Sequence, residues 1–238
     1  MPIPLAGEPI DWEPGDPVSI DSILSHAKGA LLPFFTTRDA NSLRLVCHEF
    51  LDCCTSHPWE DEVTVVKGSL AKWRVCFPLA KAANVGQWQP YINPLGRKLP
   101  LKDADFVFFK GIRTLNIFWA TCISDAAFEF LRGSIHTLKM EGCRQPGITD
   151  LAFQHIKGVK ILNMSFCYQE SITDSAFSNL RGITSLDMEG CNQSSITGAA
   201  FANLKDLRRL NLRGCRIDQI QAASSALGLG FFAQVATS

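Results

Sequence analysis

Apolar residues recur at a step of 24 through the second half of the chain. Leu138, Leu162, Leu186 and Leu210 keep that step, and so do Ile148, Ile172 and Ile196, and Phe153, Phe177 and Phe201. Within one unit the pattern has two halves. In "TSLDMEGC", Leu186 and Met188 alternate with polar residues, as in a short strand with one buried face. In "ITDSAFSNLRG", Ala176, Phe177 and Leu180 share one face of a short helix. Thr173 is placed to cap that helix, Asp174 to sit in its positively polarised first turn, and Gly182 to end it. A strand and a helix in so few residues cannot bury their apolar faces alone, but stacked copies can. An upstream copy, "IRTLNIFWATCISDAAFEFLRG", is two residues short, so Ala120 takes the slot that Cys143, Cys167, Cys191 and Cys215 hold later. "LKDADFVFFKG" and "FPLAKAANV" read as fainter copies still. The expected fold is α/β: a short solenoid of stacked strand–helix units.

The pattern L-x-M/L-x-x-C-x4-I-T-x-x-A-F-x-x-L resembles the cysteine-containing leucine-rich repeat over roughly residues 100 to 220, and the resemblance implies a short leucine-rich-repeat solenoid with parallel strands on the concave side and helices on the convex side. The repeated cysteine is expected to be a small buried packing residue with a weak S–H donor, since ladder spacing suits a tetrahedral metal site poorly. Outward strand positions form three columns. One is Thr114, Thr137, Ile161, Ser185 and Arg209. The next is Asn116, Lys139, Asn163, Asp187 and Asn211. The last is Phe118, Glu141, Ser165, Glu189 and Arg213. The second and third columns are the expected target-binding residues. Trp119 reads either as an interface aromatic beside Phe118 or as core.

Residues 20–62 do not repeat. Ile20, Ile23, Leu24 and Ala27 mark one helical face; Ala40, Leu43, Val46, Cys47 and Phe50 mark another, started by Thr37 or Asp39. As residues, they read as a helical cap on the solenoid. "FFTTRDANSLRLVCHEFLDCCTSHPW" also resembles the second half of an F-box, through Phe35, Arg38, Asp39, Leu43, Leu45, Val46, Cys47, Phe50 and Trp59. The usual Leu-Pro opening is absent, and Gly29 and Pro33 weaken the first helix. The resemblance to F-box proteins with leucine-rich repeats implies a substrate-recognition subunit of a cullin-type ubiquitin ligase. It implies that Leu31, Leu32, Phe35, Leu43, Leu45, Val46 and Phe50 dock a Skp-type adaptor in the cullin complex. The repeat face would hold a target protein of unknown identity. The other reading is a free-standing leucine-rich-repeat module.

The expected organisation is a flexible leader over 1–19, the F-box-like segment over 20–62, degenerate repeats or linker over 63–111, leucine-rich repeats over 112–220 and a cap or tail over 221–238. Lys plus Arg and Asp plus Glu balance at 23 each among 238 residues, which gives no overall pull toward nucleic acid or an anionic membrane. The proline-rich start has no basic or apolar signal region, so the expected compartment is cytoplasm or nucleus, and the nine cysteines are expected as thiols. No nucleotide, nucleophile-elbow or metalloprotease motif occurs, so neither catalytic residue nor cofactor is expected. A Cys143–His136 nucleophile pair and a zinc site at Cys47, His48, Cys53, Cys54 and His57 are the weaker alternatives.

Overall fold

The computed structural model describes residues 32–45, 48–66, 68–86 and 100–227. Its spine is a parallel sheet of six strands in chain order: β1 (Ala82–Asn84), β2 (Thr114–Asn116), β3 (Thr137–Lys139), β4 (Ile161–Asn163), β5 (Ser185–Asp187) and β6 (Arg209–Asn211). The register pairs Leu138, Leu162, Leu186 and Leu210 in one row, as their 24-residue step requires, and Leu115 joins the row from 23 residues before Leu138. The weakest sequence copy supplies β1, so the sheet begins well before residue 112.

On the convex side lie α4 (Asp125–Glu129), α5 (Asp150–His155), α6 (Asp174–Phe177) and a 3-10 helix, Gly198–Asn203. Phe128, Phe153, Phe177 and Phe201 of these helices are fully buried, and so is Phe106 of a preceding 3-10 helix, Asp103–Phe109. Ser124, Thr149, Thr173 and Thr197 cap the convex helices, each side chain accepting an N–H of the first turn. The same residues reach back one repeat. Thr149 donates its N–H and hydroxyl to Asp125 at 2.8 and 2.7 Å, Thr173 to Asp150 at 2.7 and 2.6 Å, and Thr197 to Asp174 at 2.7 and 2.6 Å. The first-turn aspartates therefore join neighbouring repeats as well as meeting their own helix dipoles.

Cys143, Cys167 and Cys191 sit inside, as expected, and Cys215 in the last copy is half-buried. The thiols of Cys143, Cys167, Cys191 and Cys215 donate to the carbonyls of Ile117, Met140, Met164 and Met188 in the preceding repeat. Burial pushes the Cys143 thiol up to about 12 and Cys215 up to about 11. Gln169 and Gln193 form a parallel ladder, donating to the carbonyls of Cys143 and Cys167 at 3.2 and 3.1 Å. Cys122, displaced in the short copy, is exposed.

At the N-terminal end stand α1 (Thr37–Leu43), α2 (His48–Ser56) and α3 (Leu70–Cys76). The single helix expected across Ala40–Phe50 is thus two helices. The first is capped by Thr36, whose hydroxyl accepts from Asp39 while its own N–H donates to the Asp39 carboxylate. Leu32, Ala40, Cys54 and Trp59 share one continuous core with the repeats. The carbonyl of buried Trp59 accepts the N–H groups of Lys81 and Ala82, which fastens this end to β1.

At the other end α7 (Ile217–Leu227) packs on the 3-10 helix Gly198–Asn203, so the element closing the array crosses the expected boundary at 220. The expectations on Ile20, Ile23, Leu24, Ala27, Leu31, Val46 and Cys47, and on the leader and the last residues of the tail, lie outside the described residues.

Candidate binding face

The strand register aligns the first and second columns, and the third follows two residues on, just past the strand ends. The columns differ in what they do. In the second, the side chain of Asn116 accepts the N–H of Phe118, Asn163 that of Ser165, Asp187 that of Glu189 and Asn211 that of Arg213, all at 2.9–3.1 Å. Asn84 does the same for Gly86. Each is an Asx turn that ends a strand and satisfies a backbone donor. Lys139 has no acceptor to offer; it donates instead to Glu62 at 2.7 Å, tying the third strand to the N-terminal segment.

In the third column, Ser165 does not fit its expected role. It is 4% exposed and donates its hydroxyl to Asp187 at 2.7 Å, so it serves the strand end rather than a partner. Phe118, Glu141 and Glu189 are half-buried and Arg213 is exposed. Burial raises the Glu141 carboxyl above the usual range, and the charges of Asp187 and Glu189 add to the shift. Among the described residues no ion pair joins these three carboxylates to a cation. Asn211 donates to Glu189 at 3.3 Å.

A second row borders the third column. Trp119, Gly142, Phe166, Gly190 and Gly214 all have positive φ, between 58 and 69°. The bulky pair is sterically disfavoured there. Glycine makes their placement feasible: a Cβ at Gly142 would lie 2.7 Å from the Trp119 ring, and one at Gly190 2.6 Å from the Phe166 ring. Trp119 is 37% exposed and belongs to neither strict alternative, core or free surface. The Arg144 guanidinium stands 4.5 Å from the Trp119 ring and 4.5 Å from that of Tyr168, and its Nε donates to the Phe166 carbonyl at 3.1 Å. This gives a preformed aromatic–arginine strip, the composition that dominates protein interfaces. Sequence reading missed Arg144 and Tyr168, which stand outside the strand columns.

The expected adaptor residues separate. Leu32 is in the core, Phe35 and Leu43 pack against it half-buried, and Phe50 is half-buried. Leu45, 79% exposed, and its unpredicted neighbour Phe34, 83% exposed, are free of it; Leu31 and Val46 lie outside the described residues. His136 is exposed and Cys143 buried, and no hydrogen bond joins them, so that pair is not a catalytic dyad. Among the described residues no group of three His, Cys, Asp or Glu is placed to hold a metal.

Residues 157–217 match the leucine rich repeat family. Among solved structures, the crystal structure of a TLR13-ssRNA13 complex is similar at 14% identity and a TM-score of 0.42. It covers 65% of this chain, which spans about a quarter (25%) of that chain. No curated protein matches. The family match and the six-stranded parallel sheet with its convex helices make this array a leucine-rich-repeat solenoid.

Proposed function

We propose that the chain is a protein-binding scaffold whose repeat face holds a partner protein and which performs no chemistry itself. The observation that carries this is the outward face of the sheet. It presents Glu141, Asp187 and Glu189, which no ion pair joins to a cation among the described residues, beside a preordered Trp119–Arg144–Tyr168 strip. Charged and aromatic groups held in fixed positions give specificity to an interface.

In the finer reading the scaffold is the target-recognition subunit of a cullin-type ubiquitin ligase, with a Skp-type adaptor on the N-terminal helices. The specific support is the exposure of Leu45 and Phe34 in the F-box-like segment, two large apolar side chains beside α1. The half-buried state of Phe35 and Leu43 favours the free-standing module, in which these helices only cap the array.

The test is a pull-down of the purified chain with a Skp-type adaptor, beside Leu45→Asp and a Trp119→Ala, Arg144→Ala double variant. Adaptor binding lost only in Leu45→Asp supports the ligase reading. A folded wild-type chain that takes no adaptor leaves the module reading. For the face itself, partners cross-linked to wild type must be lost in the strip variant; a partner set unchanged by that variant refutes the assignment.

A further inference from the structure

A cleft of about 690 Å³ opens between α1, α3 and the segment around Val66, at the end of the molecule away from the repeats' last strand. Val66, Trp73 and Phe77 form an apolar floor, and all three are buried. Arg38, Arg44 and Lys72 stand around it, and no carboxylate is among the described residues that line it. Arg44 is only partly satisfied among the described residues: one terminal nitrogen donates to the Cys76 sulfur, while its Nε is buried with no hydrogen-bond partner among them. A buried guanidinium N–H facing no acceptor is costly, and an anion removes that cost. The cleft therefore suits a ligand with carboxylates for the rim and an apolar side chain for the floor.

The sequence contains such a ligand. Glu8-Pro-Ile-Asp-Trp-Glu-Pro-Gly-Asp16 carries four acids around Ile10 and Trp12, and no Lys or Arg occurs before Lys28. This stretch lies outside the described residues, which begin at Leu32, five positions before the first residue of α1. Some 20 residues separate it from α1, and at roughly 3.3 Å per extended residue that is ample reach. Tethering raises the local concentration of such a segment to about the millimolar range, so even weak charge complementarity fills a site.

We propose that this cleft is an acidic-peptide site whose occupant is the chain's own stretch Glu8–Asp16. The site is distinct from the repeat face and includes Arg38 of α1 and Arg44 just after it. The partners of the pairing are the guanidinium groups of Arg38 and Arg44 and the Lys72 ammonium.

The experiment uses the full chain, a variant neutralised in the stretch (E8Q/D11N/E13Q/D16N), and the neutralised variant carrying Lys72→Glu in addition. A labelled synthetic peptide copying residues 6–18 is titrated into each at low and physiological salt, and binding is read by fluorescence anisotropy. Far-UV circular dichroism checks the fold, and Lys72→Gln serves as a milder second variant. The neutralised chain should bind the added peptide about tenfold more tightly than wild type, because its internal competitor is gone. Lys72→Glu should then weaken binding by about tenfold or more, and added salt should weaken it too. Equal affinity in wild type and the neutralised chain would overturn the proposal in favour of a peptide from another molecule. No binding by the folded neutralised chain overturns it outright. So does displacement by inorganic phosphate as effective as by unlabelled peptide at matched ionic strength, which would mark a simple anion site.

Discussion

Removing Asp150 tests whether the aspartate ladder holds the repeats together. Its carboxylate accepts both the N–H and the hydroxyl of Thr173, at 2.7 and 2.6 Å, across the boundary between two repeats. Hydrogen bonds to a charged group contribute about 1.5–3 kcal/mol when enclosed. Both residues here are half-buried, so the lower end applies. Asp150 is also the first residue of α5, where a negative charge adds about 0.3–1 kcal/mol. Asp150→Ala should therefore cost about 2 kcal/mol. Thr173→Ala keeps the backbone N–H bond to Asp150 but loses the hydroxyl bond and the cap of α6, and should cost about 1–2 kcal/mol. Because the two share one interaction, the double variant should fall short of the sum by about 1 kcal/mol. The assay is urea unfolding followed by circular dichroism, with Asn192→Ala, an exposed loop change, as the control. The slope must stay constant, since a repeat array that loses one interface can cease to unfold as a unit. A cost under about 0.5 kcal/mol with no coupling would refute the reasoning. Apolar stacking alone would then join the repeats.

Three further outcomes follow from the same geometry. Ellman's reagent should label exposed Cys122 at once in the folded chain and leave Cys143, Cys167 and Cys191 unlabelled until denaturant is added, because burial holds all three as thiols. Gly142→Ala should cost about 2 kcal/mol in thermal or urea unfolding, from its positive φ and the displaced Trp119 ring; adding Trp119→Ala should return part of that, and full additivity would contradict the contact. Glu141 has its folded-state carboxyl raised, so the folded chain favours the protonated form. Its ionisation destabilises the fold as pH rises through the carboxyl range, and Glu141→Gln should raise Tm near pH 7 but not below about pH 4.

What could be read from the sequence depended on repetition. The rows of Leu138, Cys143, Ile148 and Phe153 were legible because each later copy repeats them, and the strand register follows from that alone. The Gln145, Gln169 and Gln193 row keeps the same step, but polar residues carry no presumption of burial, and their partners are backbone carbonyls that no sequence pattern displays. Ser165 failed for a related reason. Alternation tells which way a side chain points, not how deep it lies or that Asp187 stands opposite. The N-terminal helices had no copies to average over. No Gly or Pro marks the break after Leu43; the chain turns there as Arg44 reaches Cys76 on α3, a contact 32 residues away.

The distinction between the second and third columns gives the repeat face a separable design. Asn163 and Asp187 end their strands by accepting backbone N–H groups, so they are tied to the fold whatever the face binds. The Glu141 carboxylate has no hydrogen bond among the described residues, and the Glu189 carboxylate only a long one from Asn211. A partner surface can therefore be rewritten at the third column while the second stays fixed. Asn163→Ala leaves the Ser165 N–H without its acceptor and should cost about 1 kcal/mol of stability. Glu189→Ala should stay within about 0.5 kcal/mol of wild type and alter partner binding instead. Measuring unfolding and partner cross-linking on both variants separates the two roles. If Glu189→Ala destabilises the fold as much as Asn163→Ala, the third column is structural as well, and only the Trp119–Arg144–Tyr168 strip is left to specify a partner.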